Sequence, residues 1–229
     1  MNVEILFDEQ AVANQAAKII AAEAVAAVQA RGRFVVAFSG GRTPWIMLRG
    51  LATADVPWEF LHVVQVDERV APDGHPDRNL THLQESLFDR VPLKPDHIHV
   101  MPVNGSDLDL SAREYEQTLT AIAGSPPILD LVHLGLGADG HTASLVPNDP
   151  VLQIVDRDVA STEAYQGRRR MTLTYPLINR ARRILWVVTG SEKVDAFGRL
   201  LNHDQTIPAG RIRQDQDLVL ADRSAANST

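Results

Sequence analysis

Short runs of consecutive apolar residues alternate along this chain with longer segments whose apolar residues recur every three to four positions. That alternation is the pattern of βαβ units wound around a mostly parallel sheet. Residues 3–7 form the first strand-like run, and Asp8 follows as the N-cap of a long Ala-rich helix that stops near Gly32, a residue suited to the left-handed C-terminal position. A strand at 34–38 leads through Ser39-Gly40-Gly41-Arg42-Thr43 into a helix ending at Leu51, with Pro44 in the first turn, where its missing N–H would be unpaired anyway. Then come a strand at 61–66, a loop at 67–76, a helix at 79–88, a strand at 97–101 and a helix at 108–123 that Pro126 and Pro127 close off. Residues 128–134 are apolar enough to form a central strand buried on both faces. Beyond them the pattern predicts a strand at 171–174, a short helix at 176–180, a strand at 184–189, a helix at 191–201 and a last strand at 218–220. The expected fold is a single α/β domain over residues 1–229, a Rossmann-like open sheet flanked by helices on both faces.

Composition narrows the function classes. With 45% apolar and 22% charged residues the chain reads as ordinary globular protein. It has no cysteine, which removes thiol nucleophiles, thiolate metal sites and disulfides together. A formal charge of −7 opposes nonspecific contact with nucleic acid, and the one dense cationic run, Arg168-Arg169-Arg170, reads either as a solvated loop or as a site for an anionic ligand. The N-terminus lacks the basic start and apolar run of a signal peptide, and no stretch reads as a membrane span. The cytoplasm is the expected compartment.

Three loops, at 39–43, 67–69 and 135–141, each follow the carboxyl end of an expected strand, where open α/β sheets place their ligands. Gly40 and Gly41 ahead of a helix could cradle a phosphate with backbone N–H groups. A Gly-Gly pair alone is more simply a tight turn; Arg42 and Thr43 favour the phosphate by adding a cation and a hydroxyl. Gly135-Leu136-Gly137-Ala138-Asp139-Gly140 matches the dinucleotide pattern, with Asp156 about twenty residues on. Only residues 141–150 intervene, with Pro147 and Pro150 among them, so no crossover helix fits and dinucleotide binding is rejected. What remains is a glycine-rich turn that sets Asp139 two residues from His141. Histidine is the usual general base near neutral pH, and a neighbouring carboxylate orients its ring. Asp67-Glu68-Arg69 divides evenly between an exposed salt-bridge cluster and a site whose side chains point alternately inward and away. His97 and His99 share one strand face without a third ligand and are read as structural. Neither Ser39 nor Ser144 lies in a Gly-x-Ser-x-Gly elbow, which argues against a covalent serine.

Taken in order, SGGRTP, VDERV with Asn79 downstream, GLGADGHTASLVP, RMTLT and TGSEK resemble the 6-phosphogluconolactonase family across nearly the whole chain, GADGHTASL most specifically. Glucosamine-6-phosphate deaminases are similar in the SGG-x-P loop and the DGH turn but continue that turn with a segment carrying a catalytic Glu, whereas this chain reads Thr142-Ala143-Ser144-Leu145-Val146-Pro147. Arg42 stands where the family commonly has Ser or Thr, and Val146 replaces a usual Phe. The resemblance implies hydrolysis of 6-phospho-D-glucono-1,5-lactone in the oxidative pentose phosphate pathway. In that reading His141 is the base, Asp139 its orienting partner, and Arg69 or the glycine-turn N–H groups hold the oxyanion. The phosphate sits against Gly40, Gly41, Arg42 and Thr43 with Arg170 and Lys193, and Asp67 and Asn79 orient hydroxyls or water. No cofactor or metal is expected. The expected partner is a small phosphorylated sugar lactone, with no nucleic acid or membrane, and a monomer is favoured. The alternatives are an amino-sugar-phosphate deaminase or isomerase, and a non-catalytic sugar-phosphate sensor.

Overall fold

A computed structural model describes residues 1–215 and 217–227. Its strands are β1 (Asn2–Leu6), β2 (Phe34–Phe38), β3 (Leu61–Gln65), β4 (Asp67–Arg69), β5 (Ile98–His99), β6 (Leu131–Leu134), β7 (Val159–Ser161), β8 (Arg170–Leu173), β9 (Arg183–Val188) and β10 (Asp217–Asp222). The helices are α1 (Glu9–Arg31), α2 (Arg42–Leu51), α3 (Asn79–Ser86), α4 (Leu108–Ala123), α5 (Tyr175–Arg180) and α6 (Val194–Leu201). Seven strands form one parallel sheet in the order β1-β10-β9-β6-β2-β3-β5. Alternate side chains of each central strand feed two separate cores. Val35 and Ala37 of β2, Val132 and Leu134 of β6, and Ile184, Trp186 and Val188 of β9 enter one with α4, α5 and α6. Phe34, Val36, Phe38, Leu131, Leu185 and Val187 enter the other with α1, α2 and α3. Burial on both faces explains why these strands read as continuous apolar runs rather than alternating ones. Each large side chain so buried contributes about 1.5–3 kcal/mol.

The caps read from sequence are present. Asp8 accepts from the Ala11 N–H at 2.8 Å, and Gly32 closes α1 in the left-handed region at φ +75. By length and composition α1 is long and apolar enough to cross a membrane, contrary to the sequence expectation. In the structure its Val12, Ala13, Ala16, Ile20, Ala24 and Ala27 are buried in the second core.

Several boundaries differ from expectation. Phe7 lies outside β1 and is 69% exposed. Phe88 belongs to a separate 3-10 turn, Phe88–Arg90, and of residues 97–101 only Ile98–His99 pair with β3. Residues 67–69, expected as loop, form β4, which pairs antiparallel with β8, and β8 in turn with β7, which the sequence pattern missed. This three-stranded sheet stands apart from the large one.

The chain runs outward from β2 through β3 to β5, returns to β6 beside β2, and continues through β9 to β10. The strand order therefore reverses between β2 and β6, and the crevice beyond their carboxyl ends is where an open α/β sheet offers a binding site.

Candidate active site

The loops leaving β2 and β6 open into a cleft of about 500 Å³. Its walls include Gly40, Gly41, Arg42 and Thr43 from the first loop, Gly135, Gly137, His141 and Ala143 from the second, Asp67 and Arg69 of β4, Arg170 of β8, and Lys193 after β9. Nine of the eleven side chains or glycines singled out from sequence thus meet here. Asp139 and Asn79, the other two, do not line the cleft but bond His141 and Arg69, which do.

The glycine-rich turn is folded so that its carboxylate and imidazole meet. The Gly137 N–H donates to the His141 carbonyl at 2.8 Å, and the Gly140 N–H donates to the Gly137 carbonyl at 3.0 Å. Asp139 Oδ1 lies 2.5 Å from His141 Nδ1 and accepts the His141 backbone N–H at 3.2 Å. A Cβ at Gly137 would fall 2.1 Å from His141 Nδ1 and 2.6 Å from Asp139 Oδ1, so only glycine leaves room for this pair. Because Asp139 accepts, Nδ1 carries the hydrogen, and Nε2 is left as the basic nitrogen. Burial alone pushes the Asp139 carboxyl up, but the charge and hydrogen bonds of His141, with a hydrogen bond from Tyr165, outweigh it and hold the carboxyl below its ordinary value. It therefore stays ionised at neutral pH.

Between β2 and α2 the backbone passes close to a second buried side chain. A Cβ at Gly40 would sit 1.9 Å from Asn79 Oδ1. That amide, 3% exposed, donates to the Asp67 carbonyl at 2.9 Å and accepts from Arg69 Nη1 at 2.9 Å. Asp67 is equally committed: its Oδ2 accepts from Ser144 Oγ at 2.6 Å. Asn79 and Asp67 thus fix the cleft floor and hold Arg69 in place.

Side chains of β4 alternate as the strand demands. Asp67 and Arg69 face the cleft, while Glu68, fully buried, turns away and accepts the Asn79 and Leu80 N–H groups at 2.8 Å each, capping α3 from a neighbouring strand. The antiparallel register sets Arg69 opposite Arg170. Arg170 is 4% exposed, yet its guanidinium has only long contacts, 3.4 Å to Ser144 Oγ and 3.4 Å to Gln166 Oε1, and its Nε has no partner. Burial lowers its pKa. Of the three consecutive arginines only this one lines the cleft; Arg168 pairs with Asp77 at 2.8 Å, and Arg169 reaches the Thr162 carbonyl at 3.3 Å.

Sequence reading missed several participants. Glu9, from the first turn of α1, lines the cleft and accepts from Arg42 Nη2 at 2.6 Å and Thr43 Oγ1 at 2.8 Å. Arg42 is otherwise 85% exposed. Thr189, Glu192 and Asp222 complete that end, with Thr43 and Thr189 hydroxyls 2.7 Å apart. Tyr165 donates to Asp139 Oδ2 at 2.9 Å. Glu9, Tyr165 and Asp222 lie outside the motifs read from sequence, whereas Thr189 and Glu192 belong to the TGSEK segment after β9, of which only Lys193 was singled out. His97 and His99 lie away from the cleft with His62: the His62 and His97 rings are 4.1 Å apart, and His62 Nδ1 is 3.0 Å from His99 Nε2. Among the described residues no group of three or more His, Cys, Asp or Glu side chains is arranged to hold a metal ion.

Comparison with known proteins agrees with this geometry. The family model described as glucosamine-6-phosphate isomerases/6-phosphogluconolactonase matches residues 7–220. A 6-phosphogluconolactonase of Synechocystis sp. is 36% identical over 99% of this chain and 97% of its own. One of Mycobacterium tuberculosis is 32% identical over 98% and 97%. The crystal structure of 6-phosphogluconolactonase from Thermotoga maritima superposes with a TM-score of 0.86 at 25% identity, covering 96% of this chain and 98% of that one. A family model that matches residues 7–220, with relatives matched over nearly the whole chain, leaves one assignment: the chain belongs to the glucosamine-6-phosphate isomerase/6-phosphogluconolactonase family.

Proposed function

We propose that this protein hydrolyses 6-phospho-D-glucono-1,5-lactone to 6-phospho-D-gluconate, with His141 as general base. The names of its relatives support the reaction class, and the 2.5 Å contact between Asp139 and His141 Nδ1 carries the assignment of the base. Nε2 takes a proton from water as the water oxygen attacks the lactone carbonyl carbon. The imidazolium that forms is stabilised by Asp139. The tetrahedral oxyanion needs donors aimed at the developing charge, and Arg69 and the N–H groups of the glycine turn are the candidates. Collapse re-forms the carbonyl, breaks the bond to the ring oxygen, and returns the proton from Nε2 to the departing alkoxide. The phosphate lies against Gly40, Gly41 and Thr43. Arg170 supplies a charge-assisted contact that its long protein contacts leave unfilled, and Lys193 adds a second cation.

The test is replacement of His141 by Ala. Turnover of freshly generated lactone should fall by about 100-fold or more, while 6-phosphogluconate still binds in calorimetry. Near-normal turnover in that variant would sink the mechanism.

A further inference from the structure

Between β7 and β8 the chain makes a tight hairpin that the mechanism above does not use. Tyr165 and Arg168 pair across it, the Tyr165 N–H donating to the Arg168 carbonyl at 2.9 Å and the Arg168 N–H to the Tyr165 carbonyl at 3.2 Å. The two residues between them, Gln166 at φ +52 and Gly167 at φ +79, both have the left-handed backbone of a two-residue type I′ turn. The far strand is fastened to the 70–78 loop: Arg168 Nε donates to Asp77 Oδ2 at 2.8 Å, and the Val70 N–H donates to the Arg169 carbonyl at 3.0 Å. The backbone of the hairpin is thus fixed without help from the Tyr165 side chain.

That side chain reaches the catalytic turn instead. Its hydroxyl donates to Asp139 Oδ2, the carboxylate oxygen that His141 leaves unoccupied. Its ring stands edge-on to the His141 ring, centroids 5.5 Å apart, and the Arg170 guanidinium lies 5.0 Å from its centroid. One aromatic ring therefore touches the orienting carboxylate, the base and a buried cation of the cleft.

We propose that Tyr165 is a positioning residue for the reaction: by holding the second oxygen of Asp139 it fixes the plane of the carboxylate, and with it the direction in which His141 presents Nε2. The proposal rests on His141 being the base. With one oxygen bound only to His141, the carboxylate could rotate about its own axis and carry the imidazole with it; two partners on two oxygens remove that freedom. Burial and the Asp139 contact raise the Tyr165 pKa, so the hydroxyl remains a donor at neutral pH. The ring also gives Arg170 a cation–π face where its hydrogen bonds are long, keeping that guanidinium aligned with the cleft.

Tyr165→Phe deletes the hydroxyl and keeps the ring. Its kcat on 6-phospho-D-glucono-1,5-lactone should fall about tenfold, as expected for losing a hydrogen bond to a charged group, with KM changed by less than about twofold. Tyr165→Leu should show the same kcat loss and, in addition, a raised KM, because Arg170 loses its ring. A double-mutant cycle separates positioning from general structure: in an Asp139→Asn background, Tyr165→Phe should lower kcat by less than about twofold, since its target is already changed. An unaltered kcat in Tyr165→Phe, or an equal fractional loss in both backgrounds, overturns the proposal. A loss of kcat accompanied by a lowered melting temperature and a raised KM in Tyr165→Phe also overturns it, in favour of a purely structural role. A fully active His141→Ala variant would overturn the base assignment and this proposal with it, whereas an inactive His141→Ala beside a fully active Tyr165→Phe overturns the proposal alone.

Discussion

Removing the Glu68 carboxylate should cost this protein much of its stability and loosen the cleft at the same time. The side chain is fully buried. It accepts from Gln65 Nε2 at 2.8 Å, the Arg69 N–H at 2.7 Å, and the Asn79 and Leu80 N–H groups at 2.8 Å each, and Arg78 Nε lies 3.2 Å away. Arg78 keeps other partners in Glu68→Ala, the Ala71 carbonyl at 2.9 Å and Asp73 at 3.1 Å, so its charge is not stranded. The N–H groups of α3 and of Arg69 have no such substitute. At roughly 1–3 kcal/mol for each buried donor left without an acceptor, Glu68→Ala should cost about 4–6 kcal/mol. That is a large share of the roughly 5–15 kcal/mol that holds a domain folded. In a chain of this size it corresponds to a fall in melting temperature of roughly 10–20 °C. Glu68→Gln keeps one acceptor oxygen but turns an amide N–H₂ toward the remaining donors, and should lose about half as much. Urea unfolding measures both, and steady-state kinetics on whichever variants fold should show reduced turnover, because Asp67 and Arg69 flank the altered residue. A Glu68→Ala protein within about 1 kcal/mol of the parent would refute the reasoning, since a cap over buried donors cannot be that cheap to lose.

Two further outcomes follow from the same structure. Thr43 has one hydroxyl proton, which Glu9 accepts, so a phosphate must displace the Glu9 carboxylate to use it, and Glu9 also holds one arm of Arg42 while leaving that guanidinium's other donors open. Glu9→Ala should therefore tighten the binding of inorganic phosphate by about two- to fivefold in calorimetry, the worth of a partly exposed ion pair; weaker binding would show instead that Glu9 orients Thr43 for the ligand. His62 is pushed down to about 4, by burial first and then by the nearby His97 and His99. The folded protein keeps it neutral while the unfolded chain takes up a proton at the ordinary value of about 6.5, so its share of stability is complete above that pH, declines as pH falls toward 4, and changes no further below. Urea midpoints compared between about pH 7 and about pH 5 should thus fall less in His62→Gln than in the parent; a parallel fall in both would exclude His62 as the source. His133, which complete burial pushes down to about 3, and His99, which burial also lowers, contribute their own decline below about pH 6.5 that persists in His62→Gln.

The large sheet was legible because its strands are buried on both faces, so β2, β3, β6 and β9 appear as apolar runs with glycines or charges at their ends. The cleft was legible to the same degree: loops that leave such strands carry Gly40, Gly41, Asp67, Arg69 and His141. The three-residue strands β4 and β7 were not. A run of Asp-Glu-Arg has no apolar period, and its pairing with β8 joins positions a hundred residues apart in the chain. Glu9 and Tyr165 escaped for a related reason. Each acts from an element that looks complete in itself, a helix first turn and a hairpin, and its partner is specified only by the packing of the whole fold. Arg42 was visible as a departure from the family, but its commitment to Glu9 was not.

The position of β1 at the sheet edge has a consequence for how the molecule comes together. Its strand partner is β10, the last strand of the chain, so no ladder exists for residues 2–6 until residues 217–222 have been made. During synthesis the N-terminal strand must wait for the C-terminal one, its backbone N–H and C=O groups unpaired on that side, while α1 docks on α2. β10 itself must settle against β9 before it can receive β1. Closure of that edge is therefore the latest and most non-local step of folding, and pairings of that kind are slow because loop entropy is lost before any contact rewards it. A ribosome-stalled chain ending ahead of residue 217 should leave its first strand open to protease, whereas the released full-length chain protects it.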